Sequence, residues 1–298
     1  MKKTFFIALT LIMMGTGLSV AQESSTFEGE STSKVFTSQK MKAMVTTKNI
    51  LAKAILKNVM KKYTEDNPLL YNGMYTQKSI VKGNKSRLDI NHNNSVIITI
   101  KEGDQQTVIY YFNYIKKGYS LVSKIDQAQV DQIRNAEVEK TGETLTIMGR
   151  KCNVYKQKYQ KTTDTLETVT QINLNNEYAI CEGDESLPEQ ASQMLNGITG
   201  CPLKYTTNTV TQSTNKMLNM DIRISIATEI TSITPRAVDD SEFEVPADIK
   251  LIDGNKEPKK ILKIGQENLD YMKKNNLWVD PAVNEDKIYD NLEQDWDF

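Results

Sequence analysis

The spacing of apolar residues changes along this chain, and each change predicts an element. A short apolar run at residues 4–15 follows Met1-Lys2-Lys3. Residues 22–39 then carry Ser, Thr and Glu with little to bury, and predict a disordered linker. From Thr46 or Thr47 to Tyr63 the period is helical. Leu51, Ala54, Ile55 and Val59 form a narrow apolar stripe, and Lys53, Lys57 and Lys61 a solvated one. Asn67-Pro68 ends that segment.

From Leu70 the period becomes two. Runs rich in Ile, Val, Thr and Tyr at 74–81, 85–90, 96–101, 108–114 and 119–122 predict short strands. Lys82-Gly83-Asn84, Asn91-His92-Asn93-Asn94 and Glu102-Gly103-Asp104 supply residues that accept tight-turn geometry. A short helix or turn is expected at 128–136. A second meander follows at 144–148, 152–159, 167–174 and 178–181, with a polar hairpin tip at 161–164. Ser186 and Glu189 make a capping box, and Leu187, Ala191, Met194, Leu195 and Ile198 lie on one face of a helix over 186–198. That face has to lie on something apolar, and the neighbouring sheet is the natural surface. Longer strands are expected at 203–211 and 217–233. Phe243-Glu244-Val245-Pro246 reads as a turn closing over the sheet, and Ile261, Leu262, Leu269 and Met272 predict an amphipathic helix over 258–274. The pattern as a whole is α+β, mainly antiparallel β.

The start of the chain gives an address. A basic start, a short apolar run and Ser19-Val20-Ala21 before Gln22 read as a signal peptide over residues 1–21. The run is too short for a span retained in the bilayer, and no later run reaches about 18 apolar residues. No transmembrane span is therefore expected. No cysteine follows the run, so the expected product is periplasmic or secreted and not a lipoprotein. In an oxidising compartment the three cysteines, Cys152, Cys181 and Cys201, allow one disulfide. Cys181–Cys201 is favoured because the two flank one compact segment. Cys152–Cys201 stays open as the alternative.

Composition removes several functions. With 37 basic and 38 acidic residues and a net charge of −1, the chain has no electrostatic footprint for nucleic acid. A mean hydropathy of −0.49 suits an ordered core with solvated tails. His92 is the only histidine and lies among asparagines, which predicts a solvent-facing loop residue. Multi-histidine zinc sites are excluded, and a histidine-based triad has little to stand on. The oxygen-rich stretch from Asp89 has Asn94 and Ile100 where a calcium loop needs Gly and an acid. No motif for catalysis, no cofactor and no metal site is read from the residues. The last stretch, 284–298, is acidic and reads as a solvated or partner-facing tail.

Several fragments occur in a telling order: Gly83-Asn84-Lys85-Ser86-Arg87-Leu88-Asp89, Ile147-Met148-Gly149-Arg150-Lys151-Cys152-Asn153-Val154-Tyr155, Gly200-Cys201-Pro202-Leu203, Ala227-Thr228-Glu229-Ile230, and Val238-Asp239-Asp240-Ser241-Glu242-Phe243-Glu244-Val245-Pro246. Over about residues 70–252 they resemble the secreted DUF4412-type and GLPGLI-like proteins of Bacteroidota, which are similar to the LolA/LolB superfamily. The resemblance implies a curved, half-open β-barrel with helices packed on the concave side. It implies a binding scaffold with an apolar interior and not an enzyme. The layout expected from the residues and the resemblance together is a signal peptide at 1–21, a linker at 22–39, a helix plus half-barrel at 40–254, and a helix and acidic tail at 255–298. An apolar or lipid-like ligand would be lined by Ile98, Ile109, Tyr111, Val154, Leu195 and Ile224. The other reading is a structural protein with a packed core that docks an envelope partner through a sheet edge or its tail. Asp164-Thr165-Leu166 also fits the O-glycosylation acceptor pattern of Bacteroidota, with Thr165 as the acceptor.

Overall fold

The computed structural model describes residues 25–50, 53–54, 73–165, 168–184, 187, 195–215 and 218–278. They form one twelve-stranded open sheet in the order β12-β6-β5-β4-β3-β2-β1-β11-β10-β9-β8-β7. The strands are β1 Ser25–Val45, β2 Gly73–Gly83, β3 Lys85–Ile90, β4 Ser95–Glu102, β5 Gln105–Phe112, β6 Lys117–Lys124, β7 Val138–Ile147, β8 Arg150–Asp164, β9 Thr168–Cys181, β10 Cys201–Asn215, β11 Leu218–Pro235 and β12 Lys250–Asp253. Every pairing is antiparallel except β12 with β6. The two meanders read from the sequence are both present, as β2–β6 and β7–β9, with the strands expected at 167–174 and 178–181 fused into β9; the two long strands expected after them are β10 and β11.

What joins them is β1. It pairs with β11 on one side and with β2 on the other. The linker expected at 22–39 is corrected here: from Ser25 onward it is part of the longest strand, and it occupies the middle of the sheet. Its polar composition misleads because Ser and Thr are small, Thr favours strands, and a central strand meets its backbone hydrogen bonds on both sides. Val35, Phe36, Thr37 and Ser38 are all buried, so both faces of the sheet are covered at that point.

Side chains directly across a ladder share a face. Counting across the ladders, Tyr155, Tyr178, Tyr205, Thr228, Val35 and Tyr75 form one row. Two helices meet the same face as this row. Helix α1, Gln127–Arg134, is capped by Asp126, which accepts from Gln129 N, and it accepts a bond from Gln157 on β8 through Ile133 O at 2.7 Å. Helix α2, Pro258–Lys274, has Pro at its start, Lys273 and Lys274 in its last turn, and an apolar stripe of Ile261, Ile264 and Met272. Glu267 pairs with Lys117 on β6 at 2.7 Å, and the turn at Gly254 brings Ile261 beside Leu121. The expected bounds of α2 match those observed. The other helices expected, at 46–63 and 186–198, fall largely outside the described residues, as do the leader at 1–21 and the tail at 284–298. Among the described residues no helix is long and apolar enough to cross a membrane.

The other face of β2–β5 is covered by the chain between β11 and β12. Val238, Phe243 and Ile249 pack on Ile80, Val96, Ile98 and Tyr111. Asp239 and Glu242 form a capping box around the short 3-10 turn Asp240–Phe243, which ends where the closing turn expected at 243–246 begins. Arg236 latches this segment to β1 through Glu30 at 2.9 Å and grips Glu242 at 2.7 and 2.8 Å.

The two-sided ladder of β1 predicts a large penalty for breaking it. Val35→Pro removes a buried side chain and a ladder donor, and is expected to lower stability by about 3 kcal/mol or more in urea denaturation. A loss below about 0.5 kcal/mol, the range of ordinary surface changes, contradicts the central placement of β1.

Candidate functional site

The helix face divides into an apolar middle and a polar end. The middle is a cluster of Val35, Tyr75, Ile90, Ile222, Ile224 and Ile226, with Leu88 and Ile97 against it. It spans β11, β1, β2, β3 and β4, the strands between those that α1 and α2 touch. Burying such side chains contributes roughly 1.5–3 kcal/mol each, so the cluster also holds the two meanders together.

At the β8–β10 end, Tyr155, Tyr178, Ile180 and Tyr205 pack with Leu195, beside Val138 and Ile198. Asn196 N donates to Arg134 O, which ties this connection to α1. One step along the strands from the three tyrosines lies a row of amides. Gln157 is 1% exposed and sits across from Asn176. Its Nε2 donates to Ile133 O, and its Oε1 accepts from Asn176 Nδ2 at 3.0 Å and from the Tyr178 hydroxyl at 3.4 Å. Burial pushes the Tyr178 phenol up, so it stays a neutral donor. Three described oxygens are buried without a hydrogen-bond partner: Gln77 Oε1, Asn176 Oδ1 and Asn268 Oδ1. The first two belong to strand residues on the helix face.

A charged cluster closes one side of this end. Glu182 accepts from the Tyr155 hydroxyl, from Asn153 Nδ2 at 2.9 Å and from Lys140 Nζ at 3.1 Å. Burial alone would raise the Glu182 carboxyl, but these donors outweigh it and hold it below the ordinary value. The group is an internally neutralised latch between β7, β8 and the end of β9.

The six residues expected to line one cavity do not converge. Ile98, Ile109 and Tyr111 pack together under Phe243 on the face away from the helices. Val154 is on that same far face, buried on β8 with its carbonyl accepting from Thr141 Oγ1. Leu195 and Ile224 are on the helix face, in two different clusters. A period of two leaves the parity of each strand undetermined: Val154 faces away from the helices, while its neighbour Tyr155 faces them. Tyr178, Tyr205, Gln157 and Asn176 were missed for the same reason. The alternation of Tyr155, Gln157 and Tyr159 was the signal that pointed to them.

The disulfide is also corrected. Cys152 is bonded to Cys181, and Cys201 lies outside the bridge, buried. Register explains the difference: β9 lies between β8 and β10, so Cys181 has Cys152 on one side and Cys201 directly across on the other. Separation along the chain could not choose between these neighbours. Thr165 is exposed at the β8–β9 hairpin, where its hydroxyl donates to Thr168 O at 2.9 Å. His92 is not a free solvent-facing residue: its ring packs 4.6 Å from Tyr75, and burial lowers its pKa to about 4.

A comparison with protein families places residues 56–249 in the family described as a domain of unknown function, DUF4412. No curated protein and no solved structure matches the chain.

His92 predicts a pH limb. Its folded pKa lies below the unfolded value near 6.5, so the unfolded chain binds the extra proton more readily. Stability is expected to fall as pH drops from about 6.5 towards about 4, by up to roughly 3 kcal/mol. His92→Gln should flatten that interval in urea titrations. An unchanged slope contradicts the burial of the neutral ring.

Proposed function

From the premise that the chain belongs to the DUF4412 family, we propose that it is an exported, non-enzymatic protein of the cell envelope. It holds an apolar or lipid-like group against the helix-bearing face of its sheet. The observation that carries this reading is the apolar middle of that face, Val35, Tyr75, Ile90, Ile222, Ile224 and Ile226, lying between the strands touched by α1 and α2. Ligand sites of this kind are mostly apolar with a few polar groups that fix orientation. Here the polar groups are the amides at the β8–β10 end. In this reading the sheet works as a half-open barrel of the LolA/LolB type, and α1 and α2 flank its concave side.

Export is part of the same proposal. Residues 1–21 act as the leader, and the Cys152–Cys181 bridge suits an oxidising compartment. Thr165 is proposed as an O-glycosylation acceptor, supported by its exposure at a hairpin tip.

A second reading, an envelope structural protein with no ligand, is favoured by the far face, where Ile98 and Tyr111 are filled in by the chain's own side chains. Native mass spectrometry and solvent extraction of protein purified from its own envelope separate the two. The carrier reading predicts a stoichiometric lipid-like or other apolar molecule that leaves on extraction. Recovery of bare protein alone contradicts it.

A further inference from the structure

Three sulfurs stand in one row across the sheet. In the ladder of β8 with β9, Asn153 opposes Ile180, so Cys152 opposes Cys181, to which it is bonded. In the ladder of β9 with β10, Cys181 opposes Cys201. Opposed residues point to the same side, and all three cysteines lie in one buried cluster with Ile147, Leu187, Leu203 and Ile230. Residues opposed on antiparallel strands have Cα atoms about 4.5–5.5 Å apart, within the span of a disulfide. Cys181 therefore has a cysteine within bonding reach on each side.

The residues beside Cys201 hold it in that row. Gly200 has φ +121°, and a side chain there would meet Cys181 O at 2.5 Å. Glycine lets the start of β10 lie this close to the end of β9. Pro202 follows, and a residue before proline is kept extended. The row also lies where its strands end. Cys181 is the last residue of β9 and Cys201 the first of β10, and Glu182 and Gly183 just beyond are exposed. Strand ends open locally at lower cost than strand middles, which gives a buried thiol intermittent access to base.

We propose that Cys181 is the shared sulfur of a disulfide relay, in which the folded protein exchanges the Cys152–Cys181 bridge for a Cys181–Cys201 bridge. The Cys201 thiolate attacks Cys181 Sγ. The Cys181–Cys201 bond forms as the Cys152–Cys181 bond breaks, and the electron pair of the broken bond leaves on Cys152 Sγ. Cys201 gives up a proton and Cys152 takes one up. One disulfide and one thiol stand on each side of the step, so no oxidant or reductant is consumed. The strand order β8-β9-β10 puts Cys181 between the attacking and the leaving sulfur. The exchange moves the cross-link from the β8–β9 pair to the β9–β10 pair. It also delivers the thiol to β8, beside the edge strand β7. The relay is independent of the carrier reading.

Thiol mapping on the full mature chain tests this. Folded, oxidised protein is held at pH about 8, near the ordinary thiol pKa of about 8.5. Acid stops the exchange, and the chain is unfolded, labelled with a maleimide while still acidic, digested and read by mass spectrometry. Label is expected on both Cys152 and Cys201, with none on Cys181. Label confined to Cys201 overturns the relay. Label on Cys181 reports a Cys152–Cys201 bridge and overturns its shared role. Samples refolded with and without a disulfide-exchange catalyst should reach the same shares during the incubation. Shares that stay different mark isomers fixed in folding and overturn the exchange. In Cys152→Ser the two remaining cysteines are expected to bond, with loss of all label; label on both in the folded, oxidised variant overturns the inference. The map of the natural chain decides the matter even where the variant fails to fold.

Discussion

The two-sided pairing of β1 is the constraint on which the rest depends. Without it the chain has two separate meanders, each with an open edge, and unpaired edges are a liability. With β1 in place, β2 and β11 become interior strands and the helix face runs unbroken from β6 to β8. The apolar middle exists only because Val35 brings Ile222, Ile224 and Ile226 of one meander against Tyr75 and Ile90 of the other. Arg236 adds a latch at one end of the same strand through Glu30.

The two faces of the sheet are used differently. The far face is closed by the chain itself, through the segment that carries Val238, Phe243 and Ile249. Its polar fittings, Arg87 to Glu242 O and Lys82 to Val238 O, fasten that segment down. The helix face meets α1 over β8 and α2 over β6, and the apolar middle between them is buried. Its polar fittings include oxygens left without a donor.

Much of the fold was legible because local rules agreed. The strand at 85–90 and the helix at 258–274 have the expected bounds, since turn residues and helical spacing mark both. The turn at Phe243 was legible because an aromatic residue beside Pro246 has to cover something. The central strand was not legible. Ser33, Thr37 and Ser38 are buried polar residues, and their burial depends on partners nearly two hundred residues away in β11. The site was less legible still. Alternation says that Val154 and Tyr155 point to opposite faces, but not which face meets a helix. The cysteines show the same limit, because Cys181 has a cysteine neighbour on either side and spacing cannot rank them.

The function proposed above requires that the helix face receive a molecule from outside the chain. A crystal structure of protein purified from its own envelope, without refolding, tests it most directly. The account predicts density belonging to no residue on the helix face between α1 and α2. Side chains of this chain alone filling that face would contradict it.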